Sequence, residues 1–186
     1  AYSISIALMI IVPIILAITW QRFFRTPWSL FCVGMLTFIG SQIVHLPLNN
    51  WLTKIGILGT PGAPDAPPLW QIAMVLGLTA GICEEIARAV GYLILRNRRD
   101  LAEGVMVGLG HGGIESMIFG GVLTAATLSS LVPINGQDLT HLNLMPEQLQ
   151  AVQTQIKSFL GSPYHALWPF IERFIAISIH MVFSLL

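Results

Sequence analysis

The chain has 186 residues, of which 54% are hydrophobic and only 10% charged, with a mean hydropathy of +0.74. Soluble domains carry about a quarter charged residues, so the composition excludes an ordinary soluble domain and points to the membrane class, with one domain over residues 1–186. Formal net charge is zero, which leaves no basic field for nucleic acid; the apolar composition makes membrane lipids the expected surroundings.

A bilayer core of about 30 Å takes about 20 apolar residues in helical form. The first such stretch is Tyr2–Trp20. No basic segment precedes it, and Gln21, Arg22 and Arg25 follow it in place of a small-residue cleavage site. It reads as a retained helix, not a signal peptide. The second stretch, Trp28–Leu46, carries His45 near its end and is expected to stop at Pro47. Asn49–Pro68 holds Pro61, Pro64, Pro67 and Pro68 and is expected to be irregular. The third stretch is Leu69–Leu95, long enough to tilt, and the fourth is Leu101–Leu128. In the connection that follows, Met145, Leu149, Val152, Ile156 and Phe159 recur at helical spacing. They predict an amphipathic helix over Pro146–Leu160, on the outer membrane surface or capping the bundle. The fifth stretch, Ala166–Leu186, ends without a polar flank, as a cut within a longer protein would. The fold class is therefore all-α, a polytopic transmembrane bundle of about five spans. Cys32 and Cys83 lie in apolar runs and read as small buried hydrophobes.

Arg22, Arg25, Arg96, Arg98 and Arg99 fall between spans one and two or three and four, while the other two connections carry only Lys54 and Lys157. This asymmetry places the amino terminus outside a cell membrane crossed several times.

Charged side chains at mid-bilayer cost at least about 2.5–3.5 kcal/mol each on insertion scales, and they usually mark function. Span three carries Glu84, Glu85 and Arg88, span four His111 and Glu115, span five Glu172, Arg173 and His180. With a rise of about 1.5 Å per residue, Glu84 and His111 sit roughly 16 and 15 Å from the inner ends of their spans. His180 sits roughly 21 Å below its outer end. Opposed helix directions thus bring all three to one level, which predicts a single site. Glu84 and Arg88 are four apart and can pair; so are His111 and Glu115, a spacing that lets the carboxylate orient the ring. Two adjacent carboxylates cannot both ionise cheaply in low dielectric unless Arg88 or a metal neutralises one. Glycines at 108, 110, 112 and 113 surround His111 and are expected to let span three approach or to leave room for a substrate. The same residues also read more plainly: Glu84–Arg88 as a structural ion pair, His111 as a satisfied core histidine, His45 as an interfacial group. Glu172 and Arg173 read as a local pair, or as partners of Glu115.

Glu84-Glu85-Ile86-Ala87-Arg88, the segment Gly108–Glu115, Glu172-Arg173 and His180–Ser184, together with Phe38–Leu48, resemble the YhfC family of intramembrane proteases. That family is similar to the CAAX-processing and bacteriocin-processing proteases. There a glutamate and a histidine activate water, and a last histidine with an asparagine stabilises the oxyanion. The resemblance implies that Glu84 and His111 activate water and that His180 faces the oxyanion. Glu85 would be a second acid, with Arg88, Glu115 and Ser184 in support. Departures are an arginine separated from the pair by two residues instead of three, Val107 for phenylalanine and Ser184 for asparagine. Glu84, His111 and His180 also make a zinc donor set with one open position, so a metal and a metal-free glutamate mechanism both stay open. The reading is an intramembrane peptidase of a prokaryotic cytoplasmic membrane, acting on a peptide or membrane protein. Its rivals are a proton-coupled transporter, a haem protein with His111 and His180 as axial ligands, and a non-catalytic member of the fold.

Overall fold

Hydrocarbon offers no partner to a backbone N–H or C=O, so a chain this apolar satisfies its backbone within helices. The computed structural model describes residues 2–59, 66–96, 100–139 and 145–185, and among them there is no strand. The order is α1 (Tyr2–Phe24), α2 (Trp28–Lys54), α3 (Leu69–Leu95), α4 (Leu101–Glu115), a π-helical segment (Ser116–Val122) and α5 (Leu123–Leu131). Then follow α6 (Pro146–Leu160), a 3-10 turn (Pro163–Ala166) and α7 (Trp168–Phe183). Among the described residues, five helical stretches are long and apolar enough to cross a membrane, with α4, the π segment and α5 forming one of them. The chain is a multi-pass membrane protein.

Several boundaries differ from the sequence reading, each for a local reason. α2 runs through Pro47 to Lys54 instead of stopping at Leu46. A proline removes one hydrogen bond, and a membrane helix that is otherwise favoured tolerates that loss. α1 continues past Trp20 to Phe24. The fourth span reaches Leu131 and changes from α to π winding directly after Glu115. Ala166 lies in the 3-10 turn, and the last helix starts at Trp168, with Pro169 in its first turn, where its missing N–H costs nothing. Pro61, Pro64, Arg98, Arg99 and Leu186 lie outside the described residues. Cys83 is buried, but Cys32 is exposed on the outer face of α2.

α4 is the centre of the bundle: every residue from Gly104 to Gly113 is buried. It packs on α1, α2 and α7, and α3 packs chiefly on α2. Small residues make this possible. A Cβ on Gly34 of α2 would stand 2.8 Å from the backbone nitrogen of His111, and one on Gly112 would stand 2.9 Å from Cα of Ile177 in α7. The glycines around His111 therefore admit α2, through Gly110 on Phe31, and α7, through Gly108 and Gly112. They do not admit the third span, as the sequence suggested. Large apolar side chains such as Ile14, Leu36, Ile86 and Ile175 face outward, as lipid contact requires. The Tyr2 hydroxyl donates to the carbonyl of Phe159 at 2.6 Å, which ties the end of α6 to the start of α1.

Candidate functional site

Glu84 from α3, His111 from α4 and His180 from α7 meet beside the core. Each offers one donor atom, and the three atoms lie within 4.8 Å of one another. Oε2 of Glu84 is 3.6 Å from Nε2 of His111 and 4.0 Å from Nδ1 of His180. The two imidazoles are in contact, with ring centroids 4.7 Å apart and planes tilted by 38°. A porphyrin plane does not fit between rings that touch, so the geometry speaks against paired axial haem ligands.

His111 is fully buried, and α2 fixes its protonation pattern. Thr37 Oγ1 lies 2.9 Å from Nδ1 of His111 and donates its own hydrogen to the carbonyl of Gly34 at 2.7 Å. A hydroxyl has one hydrogen, so Thr37 must accept from Nδ1–H. In the neutral ring the lone pair is then on Nε2, a buried atom without a hydrogen-bond partner among the described residues, directed at Glu84. Phe38 packs perpendicular to the imidazole, with ring centroids 5.4 Å apart, and closes one side of it. Thr37 was absent from the sequence candidates. The available signal was that it is the only hydroxyl in the apolar run 31–40.

His180 is set by charge. Nη2 of Arg88 lies 3.1 Å from Nδ1 of His180, and because a guanidinium only donates, Nδ1 accepts. The ring hydrogen is then on Nε2, where Oε2 of Glu115 lies at 2.7 Å, though off the axis of an aligned hydrogen bond. Nη1 of Arg173 holds the other oxygen of Glu115 at 2.6 Å, and its Nη2 holds Glu172 at 2.6 Å.

These contacts revise two pairings and bear out a third. Glu115 serves His180, not His111, because it lies at the α-to-π junction against α7. Arg88 bonds Glu85 and His180, not Glu84; a spacing of three is as good as four on a helix. Glu172 and Arg173 are both a local pair and, through Arg173, a partner of Glu115. His45 is half-buried and links α2 to α3, with Nε2 at 2.8 Å from Asn49 and 3.3 Å from Thr79. It lies apart from the three donor atoms.

Glu85 is 51% exposed. With Arg88, Tyr92, Phe183 and Ser184 it lines a cavity of about 340 Å³ between α3 and α7. Ser184 is buried, and its Oγ has no partner among the described residues. A second cavity of about 400 Å³ lies under α6 and includes none of these side chains.

The donor set fits a divalent metal. Two imidazole nitrogens and a carboxylate oxygen are the ligands of many catalytic zinc sites, and Nε2 of His111, without a hydrogen-bond partner among the described residues, is the atom such an ion would satisfy. Thr37 and Glu115 supply the outer contacts that ligating histidines normally have.

A family model described as "YhfC intramembrane metalloprotease" matches residues 8–186. Among curated proteins, "Uncharacterized membrane protein YhfC" of Bacillus subtilis (strain 168) is 26% identical over 190 residues, covering 99% of this chain and 71% of that protein. No solved structure matches.

Proposed function

The chain belongs to the YhfC intramembrane metalloprotease family, and from that premise we propose that it is an intramembrane peptidase whose hydrolytic centre is Glu84, His111 and His180. One observation carries this reading: the fully buried Nε2 of His111 has no hydrogen-bond partner among the described residues and is aimed at a carboxylate on another helix. Purely structural histidines in membrane bundles are satisfied by hydrogen bonds. This one keeps its lone pair for something held between the helices.

Glu84, His111 and His180 would hold the metal, with zinc as the ion that suits two imidazoles and a carboxylate. When bound, it supplies an acidified water and polarises the carbonyl under attack. The chain's own groups do the rest. Thr37 and Glu115 keep the lone pair of each imidazole on the side of Glu84. Glu85, at the mouth of the cavity and screened by Arg88, is the second acid, placed to exchange protons with the leaving amine. Ser184 is the hydroxyl donor we assign to the developing oxyanion. The substrate is a peptide or membrane protein that enters between α3 and α7, in a chain whose amino terminus lies outside a cell membrane.

A metal-free version of the same site is the second reading. In it Glu84 and His111 share a water directly, with their facing atoms, now 3.6 Å apart, moving slightly apart to admit it. Turnover of a membrane-peptide library in proteoliposomes tests the peptidase. Glu84→Gln, His111→Ala and His180→Ala should each abolish it in folded protein, and full activity in all three would overturn the proposal. Stoichiometric zinc in the wild type, lost in His111→Ala, selects the metal reading. Proton-driven flux without cleavage would favour a carrier instead.

A further inference from the structure

The centre contains its own competitor for a metal ion. With both rings neutral, three lone pairs converge there: Oε2 of Glu84, Nε2 of His111 and Nδ1 of His180. The first two face each other. The third is taken, because Nη2 of Arg88 donates to Nδ1 of His180 at 3.1 Å. Arg88 is among the most deeply buried side chains, 2% exposed. Its Nη1 is held by Glu85, and its Nε has no partner among the described residues. A nitrogen lone pair cannot bind a metal and accept from a guanidinium together. Two cations on one side of a buried ring also repel each other strongly at low dielectric.

From this geometry we infer that Arg88 is a resident counter-cation that a divalent metal must displace from His180, with Glu85 as the carboxylate that keeps the displaced guanidinium. The inference rests on the metal-holding reading above. Glu115 is compatible with both states, since it lies at the opposite ring nitrogen and holds the same tautomer in each. Glu85 is suited to its role because it is half-exposed and already bonded to the other Nη of the guanidinium, so Arg88 can swing without losing its anion. Arg88 would then be a positioning residue: it keeps His180 oriented in the empty site and sets a threshold below which stray cations do not load.

The test is metal affinity, read without turnover. The full chain is purified in nanodiscs and titrated with cobalt(II), whose visible d–d bands report loading, and with zinc by competition against a chromophoric chelator. Arg88→Met should tighten binding about ten- to a hundredfold, the worth of one charge-assisted hydrogen bond. Glu85→Gln removes the fallback partner and should weaken binding in the same range. A purely structural Arg88 would lower thermal stability on substitution and leave affinity alone. Equal or weaker binding by Arg88→Met overturns the inference. If that variant does not fold, the Glu85→Gln arm decides, and unchanged or tighter binding there overturns it. Failure of folded wild type to bind either ion stoichiometrically removes the metal reading and this inference together. Binding that ignores Arg88 removes the inference alone.

Discussion

Replacing Thr37 with valine tests whether a single hydroxyl sets the chemistry of His111. The change is nearly isosteric, and the methyl that packs against Gly91 of α3 is kept. What goes is the acceptor 2.9 Å from Nδ1. A buried N–H left without a partner costs about 1–3 kcal/mol. The ring can escape most of that cost by moving its hydrogen to Nε2, where the carboxylate of Glu84 lies at 3.6 Å. Whatever binds at Nε2 must then drive the hydrogen back. Metal affinity and turnover should therefore fall about ten- to a hundredfold, as for other outer partners of ligating histidines. Thermal stability should fall little, because the tautomer change repairs most of the damage. Nitrogen-15 NMR of labelled histidine reads the tautomer directly. Thr37→Ser keeps the hydroxyl and should restore the Nδ1–H form and most of the activity. If folded Thr37→Val retains the Nδ1–H tautomer and wild-type turnover, the assignment of His111 by Thr37 is wrong.

Other substitutions separate the contacts around His180. Glu115→Gln removes the charge beside Nε2 of His180 and should lower turnover and metal affinity about ten- to a hundredfold, checked by the same two assays. Arg173→Met frees the second oxygen of Glu115 and should lower turnover in the same direction. Glu172→Gln should leave it unchanged, since that carboxylate is 71% exposed and bonds Arg173 alone among the described residues. Gly34→Ala puts a methyl group against the backbone of α4. Overpacking costs about 1–3 kcal/mol even where side chains can yield, so thermal stability and activity should both drop. Gly77→Ala, with open space around it, should change neither.

The meeting of Glu84, His111 and His180 was legible in the sequence because it depends on only two quantities, the fixed rise of a helix and the alternation of span direction. Partner choice was not legible, because it depends on rotation about each helix axis. Arg88 is four residues from Glu84 and three from Glu85, and helix geometry allows either pair; packing against His180 selected Glu85. Glu115 shares a face with His111 by spacing, yet α7 crosses α4 at the Glu115 level and claims it. The glycine pattern announced close approach without naming the helix that approaches. Thr37 looked like any hydroxyl in a membrane helix, where bonding back to the preceding turn is the usual role. It does bond back, to Gly34, and only the position of α4 shows that the same oxygen also accepts from a histidine.

The pairing pattern bears on the metal question directly. Arg88 answers Glu85, and Arg173 answers Glu115 and Glu172. Glu84 has neither arginine; its partners are two imidazoles at 3.6 and 4.0 Å, and its side chain is 15% exposed. A nearly buried carboxylate is costly unless a cation or strong donors face it. His111 does not donate while Thr37 holds its hydrogen on Nδ1, and Nδ1 of His180 accepts from Arg88. Three acceptors therefore converge, and the N–H of each neutral ring points away from Glu84, toward Thr37 in His111 and toward Glu115 in His180. Acceptors facing one another are reconciled by a species with positive character toward each: a divalent ion, or a water donating both hydrogens. A water can donate to Glu84 and His111 and leave Arg88 on His180. An ion that uses all three atoms cannot, which is why the affinity of the Arg88 variant, more than the loss of turnover in any ligand variant, distinguishes the two chemistries.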